Sequence, residues 1–202
     1  MSDLRAMKSG VDQYADKLHE MTRRRVLFRA REMGIFDRMY LPDHAMFTQF
    51  ARGLYASEDS NITFTEAMLF RTEHAVACLD TALWLLEILG DEPRPIRLAI
   101  SRDARKPKID TVPIDWFRWS EPADPDDIVT LRRISNGPWV KAFGVAKTAV
   151  DLVRARRRVG VERAYELVDY LLGRHLGVDE LRECAARYRA SLPVRECLRR
   201  LT

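Results

Sequence analysis

The spacing of apolar residues changes along this chain of 202 residues, and the change constrains its fold more than any single motif does. Apolar residues recur every three or four positions in the first 33 residues and alternate over 47–55. Helical spacing returns over 63–89, strand-like stretches follow between 96 and 143, and helical spacing resumes from Val145. Helical spacing predicts amphipathic helices, whereas alternation predicts strands. The chain therefore mixes helices with short strands, which indicates the α+β class.

The first sixty residues predict two helices followed by a hairpin. The first helix covers about 2–19, and Thr22 can cap a second helix that runs to Met33 and ends at Gly34. The segment from Phe47 to Tyr55 predicts two short strands folded about Arg52-Gly53. Because helices followed by a small hairpin are typical of a winged helix-turn-helix, we predict that domain over 1–60.

A second domain is predicted over 61–202. Two stretches of helical spacing open it, at 63–72 and 74–89. Four strands follow, the last two joined by the turn Asn136-Gly137, at 96–101, 112–119, 128–135 and 138–143. Helical spacing then returns over 145–158, 161–172, 179–190 and 193–201, and Asp179 is placed to cap the third of these helices. We predict a small, about four-stranded antiparallel sheet with a C-terminal helical bundle.

Positive charge is concentrated locally, because the whole chain carries a net charge of only +4. Arginines crowd the second predicted helix, at Arg23, Arg24, Arg25, Arg29 and Arg31. Arginines at helical spacing can contact phosphates or enter the major groove, although a solvated helix face would show the same spacing. Arg38, and Arg52 in the hairpin, could add contacts to the sugar-phosphate backbone of the same DNA.

A second basic run ends the predicted helix 145–158 and consists of Arg154, Arg156, Arg157 and Arg158. Positive charge at this end of a helix complements the helix dipole, which is one explanation of the run. The other is an interface, because the planar guanidinium binds carboxylates or phosphates in pairs. The residues alone do not distinguish a protein partner from a nucleic acid.

The sequence shows no arrangement typical of an enzyme. The four histidines are far apart and the nine glycines do not cluster, so neither metal-ligand spacing nor a phosphate-binding loop is present. Asp124, Asp126 and Asp127 alternate with prolines, which predicts an exposed turn rather than a cation site. We therefore expect no catalytic residues, no metal and no cofactor.

Cysteine usage and hydropathy predict where the protein resides. Cys78, Cys184 and Cys197 are odd in number and lie among apolar neighbours, so we expect free thiols in the core rather than disulfides or zinc ligands. The sequence has no run of about 18 apolar residues and no apolar stretch near its start. We expect a cytoplasmic protein without a membrane partner.

Several motifs occur together between about residue 47 and the end of the chain. Ala51-Arg52-Gly53-Leu54-Tyr55 is followed by Cys78-Leu79-Asp80-Thr81-Ala82-Leu83, and then by Ile96-Arg97-Leu98-Ala99-Ile100-Ser101 with Arg105-Lys106-Pro107. Next come Ala146-Lys147-Thr148-Ala149-Val150-Asp151-Leu152, Arg156-Arg157-Arg158-Val159-Gly160, Ala164 and the helical stretch 179–189. In this order the motifs resemble the AbiEi family of type IV antitoxins. The first resembles the family's wing, the third its first strand and basic loop.

The resemblance implies a winged-helix protein that represses its own toxin–antitoxin operon by binding operator DNA. It also implies a C-terminal domain that counteracts a nucleotidyltransferase-like toxin, with no catalysis by the antitoxin itself. In this family neutralisation need not involve a tight complex, so direct toxin binding stays open. Because palindromic operators favour two-fold arrangements, a homodimer on DNA is compatible with this expectation.

These considerations give two sets of predicted site residues. The predicted DNA contacts are Arg23, Arg24, Arg25, Arg29, Arg38 and Arg52. The predicted antitoxin face consists of Lys147, Arg154, Arg156, Arg157 and Arg158. An alternative function is a stand-alone winged-helix regulator whose second domain serves dimerisation or sensing.

The sequence departs from the family pattern in two places. Gly144-Val145 stands where the family usually has Ser-Pro, which changes the start of a helix. The stretch 35–46, which contains Pro42, is shorter and less basic than a usual recognition helix. Whether 22–33 or 37–44 enters the DNA groove is therefore left open, as is a winged helix that has lost DNA binding.

Overall fold

The computed structural model describes residues 27–32, 47–119 and 123–201. Two compact units emerge from the packing. The first contains the described part of 1–73 together with 108–112 and 132–140, and the second contains 74–107, 113–131 and 141–202 where described. Helices and strands occur in both, which confirms the α+β class. The domain division at residue 60 stays a prediction.

The first unit contains a three-stranded antiparallel sheet. Its strands are β1 (Leu27–Arg29), β2 (Phe47–Ala51) and β3 (Leu54–Ser57), in the order β1-β3-β2. The predicted hairpin about Arg52-Gly53 is therefore confirmed as β2–β3. Gly53 has φ 74°, a left-handed conformation that glycine adopts without steric cost, which explains why the chain reverses there.

The helix predicted over 22–33 is wrong where the structure describes it. Leu27–Arg29 is a strand and Ala30–Glu32 a single 3₁₀ turn. Phe28 is fully buried, with its ring 5.5 Å from that of Phe47 and 6.2 Å from that of Tyr55. These long-range contacts outweigh the local helical spacing. The first predicted helix, and residues 22–26, lie outside the described residues.

Helix α1 (Phe64–Arg71) completes the first unit and confirms the helix predicted there. The Thr63 hydroxyl accepts a hydrogen bond from the amide of Glu66, and the Glu66 carboxylate accepts one from the amide of Thr63. This reciprocal capping box satisfies backbone donors that the first turn cannot pair. The Phe64 ring packs 5.0 Å from that of Phe50 and so attaches the helix to β2.

The second unit contains a five-stranded mixed sheet. Its strands, in the order β6-β5-β4-β8-β7, are β4 (Val76–Ala77), β5 (Ile96–Ser101), β6 (Ile114–Trp119), β7 (Ile128–Leu131) and β8 (Val140–Phe143). Strand β4 pairs antiparallel with β5, while β5–β6 and β4–β8 are parallel pairs. The predicted four-stranded antiparallel sheet is therefore wrong in its strand number and in two of its pairings.

Two local features explain the corrected topology. The connection between β5 and β6 has about a dozen residues, which is the length that a parallel return needs. Strand β4 lies inside the stretch 74–89 that was predicted as one helix, and only α2 (Leu79–Leu85) is helical there. The predicted 128–135 and 138–143 strands are also shorter, because 132–139 forms the loop between them.

Five C-terminal helices cover 145–201, where the sequence predicts a bundle of four. They are α3 (Val145–Arg154), α4 (Arg156–Val159), α5 (Val161–Arg174), α6 (Val178–Arg187) and α7 (Ser191–Leu201). Asp179 does not cap α6, because Gly177 is the capping residue and Asp179 lies in the first turn. Helix α3 is central, with fully buried Ala149, Val150, Leu152 and Val153.

The described helices are all too short or too polar to cross a lipid bilayer.

Candidate functional site

Four of the six predicted DNA contacts lie outside the described residues: Arg23, Arg24, Arg25 and Arg38. Arg29 and Arg52 lie in the three-stranded sheet of the first unit. Arg29 is bonded within its own unit, whereas Arg52 is exposed to solvent, so only Arg52 is available for a contact with DNA.

Arg29 is committed to contacts inside its own unit. Its Nη2 donates to the Phe70 carbonyl at 2.9 Å and to Glu73 Oε1 at 2.6 Å, and its guanidinium lies 5.0 Å from the Phe70 ring centroid. The side chain is only 17% exposed. Arg29 therefore attaches β1 to the end of α1, a structural role that the helical-spacing argument did not predict.

Arg52 is exposed at the tip of the β2–β3 hairpin. The backbone around it is held from two sides: Arg71 Nη1 donates to the Arg52 carbonyl at 3.0 Å, and the Ala30 amide donates to the Gly53 carbonyl at 2.9 Å. The tip thus has a fixed backbone and a guanidinium directed to solvent. This arrangement can present positive charge to a phosphate at little cost in ordering the backbone.

The predicted antitoxin face divides into three kinds of position. Arg156 and Arg158 are engaged within the second unit. Arg156 Nη1 donates to the Val153 carbonyl at 2.8 Å and Nη2 lies 3.8 Å from Glu196. Arg158 Nη2 bonds to Asp115 and to the Trp116 carbonyl, while its guanidinium lies 4.0 Å from the Phe117 ring centroid.

Arg154 and Arg157 are the more available members of this face. Arg154 is exposed, with its guanidinium 5.9 Å from the Trp119 ring centroid. Arg157 is exposed and, within the described part of the chain, makes no hydrogen bond, ion pair or ring contact. A partner approaching this part of the surface therefore meets Arg157 without having to displace an internal bond.

Lys147 lies inside the protein, with its side chain 3% exposed. Its Nζ donates to Asp151 Oδ2 and lies 4.5 Å from the ring centroid of Trp119, 4.6 Å from that of Phe143 and 4.4 Å from that of Tyr188. Three ring faces and one carboxylate thus surround a single ammonium group. Lys147 cannot touch a partner from the surface, so any part it has in the predicted face is to support it.

A second polar group lies against this lysine. Tyr188 Oη donates to Asp127 Oδ2 at 2.6 Å and accepts from the Asp124 amide at 2.9 Å, and Arg187 Nη2 donates to Asp127 Oδ1 at 2.7 Å. The prediction of an exposed acidic turn is therefore wrong for Asp127, which is 8% exposed. Its carboxylate is buried because α6 supplies two donors that satisfy it.

Burial shifts the pKa values of several groups in this region. Desolvation raises the pKa of Asp151, although the neighbouring Lys147 opposes that rise. Desolvation is also the largest cause raising the pKa of Tyr188, followed by its hydrogen bond to Asp127. The pKa of Cys78 is raised well above its ordinary value by burial and then by the charge of Asp151. Burial is thus the common first cause of the raised pKa values in this region.

The rings of Trp119, Phe143 and Tyr188 around Lys147 form what we call the lysine cage. A cavity of about 310 Å³ lies beside this cage in the second unit. Trp119 and Phe143 line both the cage and the cavity, and Ile128, Ala99 and Val76 extend the apolar wall. His74, Ser101 and Arg102 contribute polar groups. The indole Nε1 of Trp119 is buried and has no hydrogen-bond partner among the described residues. The cavity is thus a mixed apolar and polar space.

No His, Cys, Asp or Glu cluster suited to a metal ion occurs in the described ranges. The three cysteines are free and fully buried, which confirms the prediction that Cys78, Cys184 and Cys197 are core residues.

Sequence reasoning missed the buried partners of Lys147, namely Asp151, Trp119 and Tyr188. One signal was present, since Lys147 and Asp151 are four positions apart and therefore face each other on a helix. Nothing local could have identified Trp119 or Tyr188, because they come from β6 and from the end of α6.

No family model matches the chain, and no curated protein matches it.

Proposed function

We propose that this protein is an autoregulatory antitoxin: it binds operator DNA through an N-terminal winged helix and counteracts a nucleotidyltransferase-like toxin through its second unit, in the cytoplasm and without an enzymatic activity of its own. The observation behind the DNA-binding half is the antiparallel sheet β1-β3-β2 with Arg52 at its hairpin tip. A three-stranded antiparallel sheet that ends in a hairpin is compatible with the wing of a winged helix and supports this proposal.

The proposed DNA surface combines the hairpin tip with the basic segment that precedes β1. Arg52 supplies an exposed guanidinium on a fixed backbone. Arg31, just after β1, is exposed as well. Arg23, Arg24, Arg25 and Arg38 are the further contacts proposed from the sequence. Arg29 has a supporting part, because its guanidinium is bonded to Phe70 and Glu73. Several such cations along one surface would give salt-dependent affinity for a phosphate backbone.

The proposed antitoxin surface centres on Arg154, at the end of α3, and Arg157, in the short helix α4. Arg156 and Arg158 hold α4 in place through their own bonds. Lys147 supports this surface from inside, because its helix α3 leads directly into α4. The proposed partner is the toxin, with or without direct binding. The arginines could pair with carboxylates of the toxin or with phosphates of the toxin's nucleotide substrate.

A stand-alone regulator with a sensing domain is the second candidate function. The cavity beside Trp119 favours it, because about 310 Å³ is enough for a small ligand and an unpaired indole N–H can donate to one. A nucleotidyltransferase reading frame next to this one would favour the antitoxin over this candidate.

Growth rescue tests the antitoxin half. Where the neighbouring reading frame encodes a nucleotidyltransferase, the two proteins are expressed together, and colony formation is compared with that of the toxin alone. We expect wild-type protein to restore growth and Arg157→Glu to restore less, while Lys141→Glu, an exposed charge reversal on β8, rescues like wild type. A wild-type protein that gives no rescue at equal expression would reject the antitoxin function and leave the regulator.

A further inference from the structure

Helices α6 and α7 form a groove of about 460 Å³ at the surface of the second unit. Ala185, Val194 and Leu198 make its floor, and Arg182, Arg195 and Arg199 line it. Ala185 and Val194 are at most 1% exposed, so they fix the floor from below, and half-buried Leu198 supplies its accessible apolar surface. The groove therefore offers a rigid apolar base framed by guanidinium groups.

The charge of this groove is one-sided. No carboxylate belongs to its lining, and residues 144–202 as a whole hold 13 Lys and Arg against 8 Asp and Glu. Glu196, the acidic residue next to Arg195, lies 3.8 Å from Arg156 and so is directed to α4. Arg182 pairs with Asp179 at 3.0 Å, but both side chains are exposed and such pairs contribute little. Arginines here can exchange these contacts for a ligand's carboxylates.

An exposed leucine lies on α7 outside the groove lining, on the same stripe as two of the groove's arginines. Leu192 is 57% exposed and precedes Arg195 and Arg199 by three and seven positions, which places all three on one stripe of the helix. The stripe therefore places one exposed apolar side chain next to two of the groove's arginines. The stripe thus repeats the pattern of the groove, apolar surface next to positive charge.

We propose that this groove binds a protein partner through an acidic amphipathic helix. Apolar side chains of that helix would cover Leu198 and Leu192, while its Glu and Asp side chains would pair with Arg182, Arg195 and Arg199. A nucleic acid fits less well, because a phosphate backbone gains nothing from an apolar floor and no aromatic side chain lines the groove to stack a base. The proposal depends neither on DNA binding nor on the toxin.

Selection from a peptide library tests the proposed chemistry. A displayed library of about four helical turns keeps apolar residues at positions i, i+4 and i+7 and varies all flanking positions. It is panned on the full chain, and recovered peptides are measured by fluorescence anisotropy. Wild type is compared with Arg195→Glu in the groove and with Arg200→Glu, the same charge reversal on the same helix but outside the groove lining.

We expect recovered peptides to be enriched in Glu and Asp and to lose at least about tenfold in affinity for Arg195→Glu, with much less change for Arg200→Glu. Enrichment in Lys and Arg, or equal binding by the two variants, would overturn the proposal. The proposal would also fail if Arg195→Glu lost binding to a duplex DNA probe but not to the peptides, since the occupant would then be a nucleic acid. It would fail as well if the wild type formed an oligomer that Arg195→Glu dissociated, since the occupant would then be a second copy of this chain. Equal thermal stability of both variants excludes unfolding as the cause.

Discussion

The ammonium group of Lys147 donates to Oδ2 of Asp151 one turn later in α3, and both side chains are buried. Exposed pairs at this spacing contribute a few tenths of a kcal/mol. A buried pair differs, because removal of one partner leaves an uncompensated charge inside the protein. The other oxygen of Asp151 has no hydrogen-bond partner among the described residues, so Lys147 is the main compensation for this carboxylate.

Lys147→Met should therefore lower the free energy of unfolding by about 3–5 kcal/mol, measured by urea denaturation. Methionine keeps most of the aliphatic stem that packs between the rings, so the loss comes from the charge. Lys141→Met, at an exposed position of β8, should change stability by less than about 0.5 kcal/mol. Adding Asp151→Leu to Lys147→Met should recover part of the loss, and a double variant no more stable than the single one would contradict this account.

Tyr188→Phe should lower the free energy of unfolding by about 1–3 kcal/mol, because it leaves buried Asp127 Oδ2 and the Asp124 amide without the hydroxyl that they share. Thermal unfolding monitored by circular dichroism measures the effect. Tyr165→Phe in α5 removes a hydroxyl from a half-buried ring and is the matched control. Equal unfolding temperatures for the two variants would show that the Asp127–Tyr188 bond is dispensable.

The three thiols should react only after unfolding. Burial raises the pKa of Cys184 and of Cys197 to about 11, so about a thousandth of each thiol is thiolate at pH 8, and Cys78 is shifted in the same direction. Reaction with Ellman's reagent, followed by absorbance, should show no fast phase for the folded protein in buffer and three reactive thiols per chain in denaturant. A fast equivalent at pH 8 in the folded protein would place one cysteine at the surface.

Arg29→Ala and Arg52→Ala should separate structure from DNA contact. Arg29→Ala removes the bonds to Phe70 and Glu73 and should cost about 1–2 kcal/mol of stability. Arg52→Ala should leave stability within about 0.5 kcal/mol and weaken binding to operator DNA, with the salt slope reduced by about one. Urea denaturation and fluorescence anisotropy make the two measurements. The reverse pattern would mean that the hairpin tip does not face DNA.

Local signals were enough to predict some elements from the sequence. The β2–β3 hairpin has alternating apolar residues about Gly53, and that glycine adopts a positive φ, so both pattern and turn pointed to one structure. The strand 96–101 was predicted from alternation and the helix after Thr63 from helical spacing, and both patterns are local.

Elements held by distant partners were missed. Strands β1 and β4 have three and two residues, and each gains its stability from strands far along the chain. Parallel pairing of β5 with β6 also leaves no mark on the alternation of either strand. The same limit applies to the site: Lys147 was selected for its charge, but its burial depends on Trp119 and Tyr188, which only the fold brings together.

Binding of the purified protein to a labelled fragment of its own upstream DNA is the most direct test of the proposed repressor. The measurement uses two salt concentrations, random DNA of equal length, and the variant Arg23→Ala, Arg24→Ala, Arg25→Ala. We predict specific binding that weakens with salt and is lost in the variant, because these cations would neutralise phosphates. Equal binding of upstream and random DNA by the wild type would contradict the repressor and leave the second unit as the functional part of the protein.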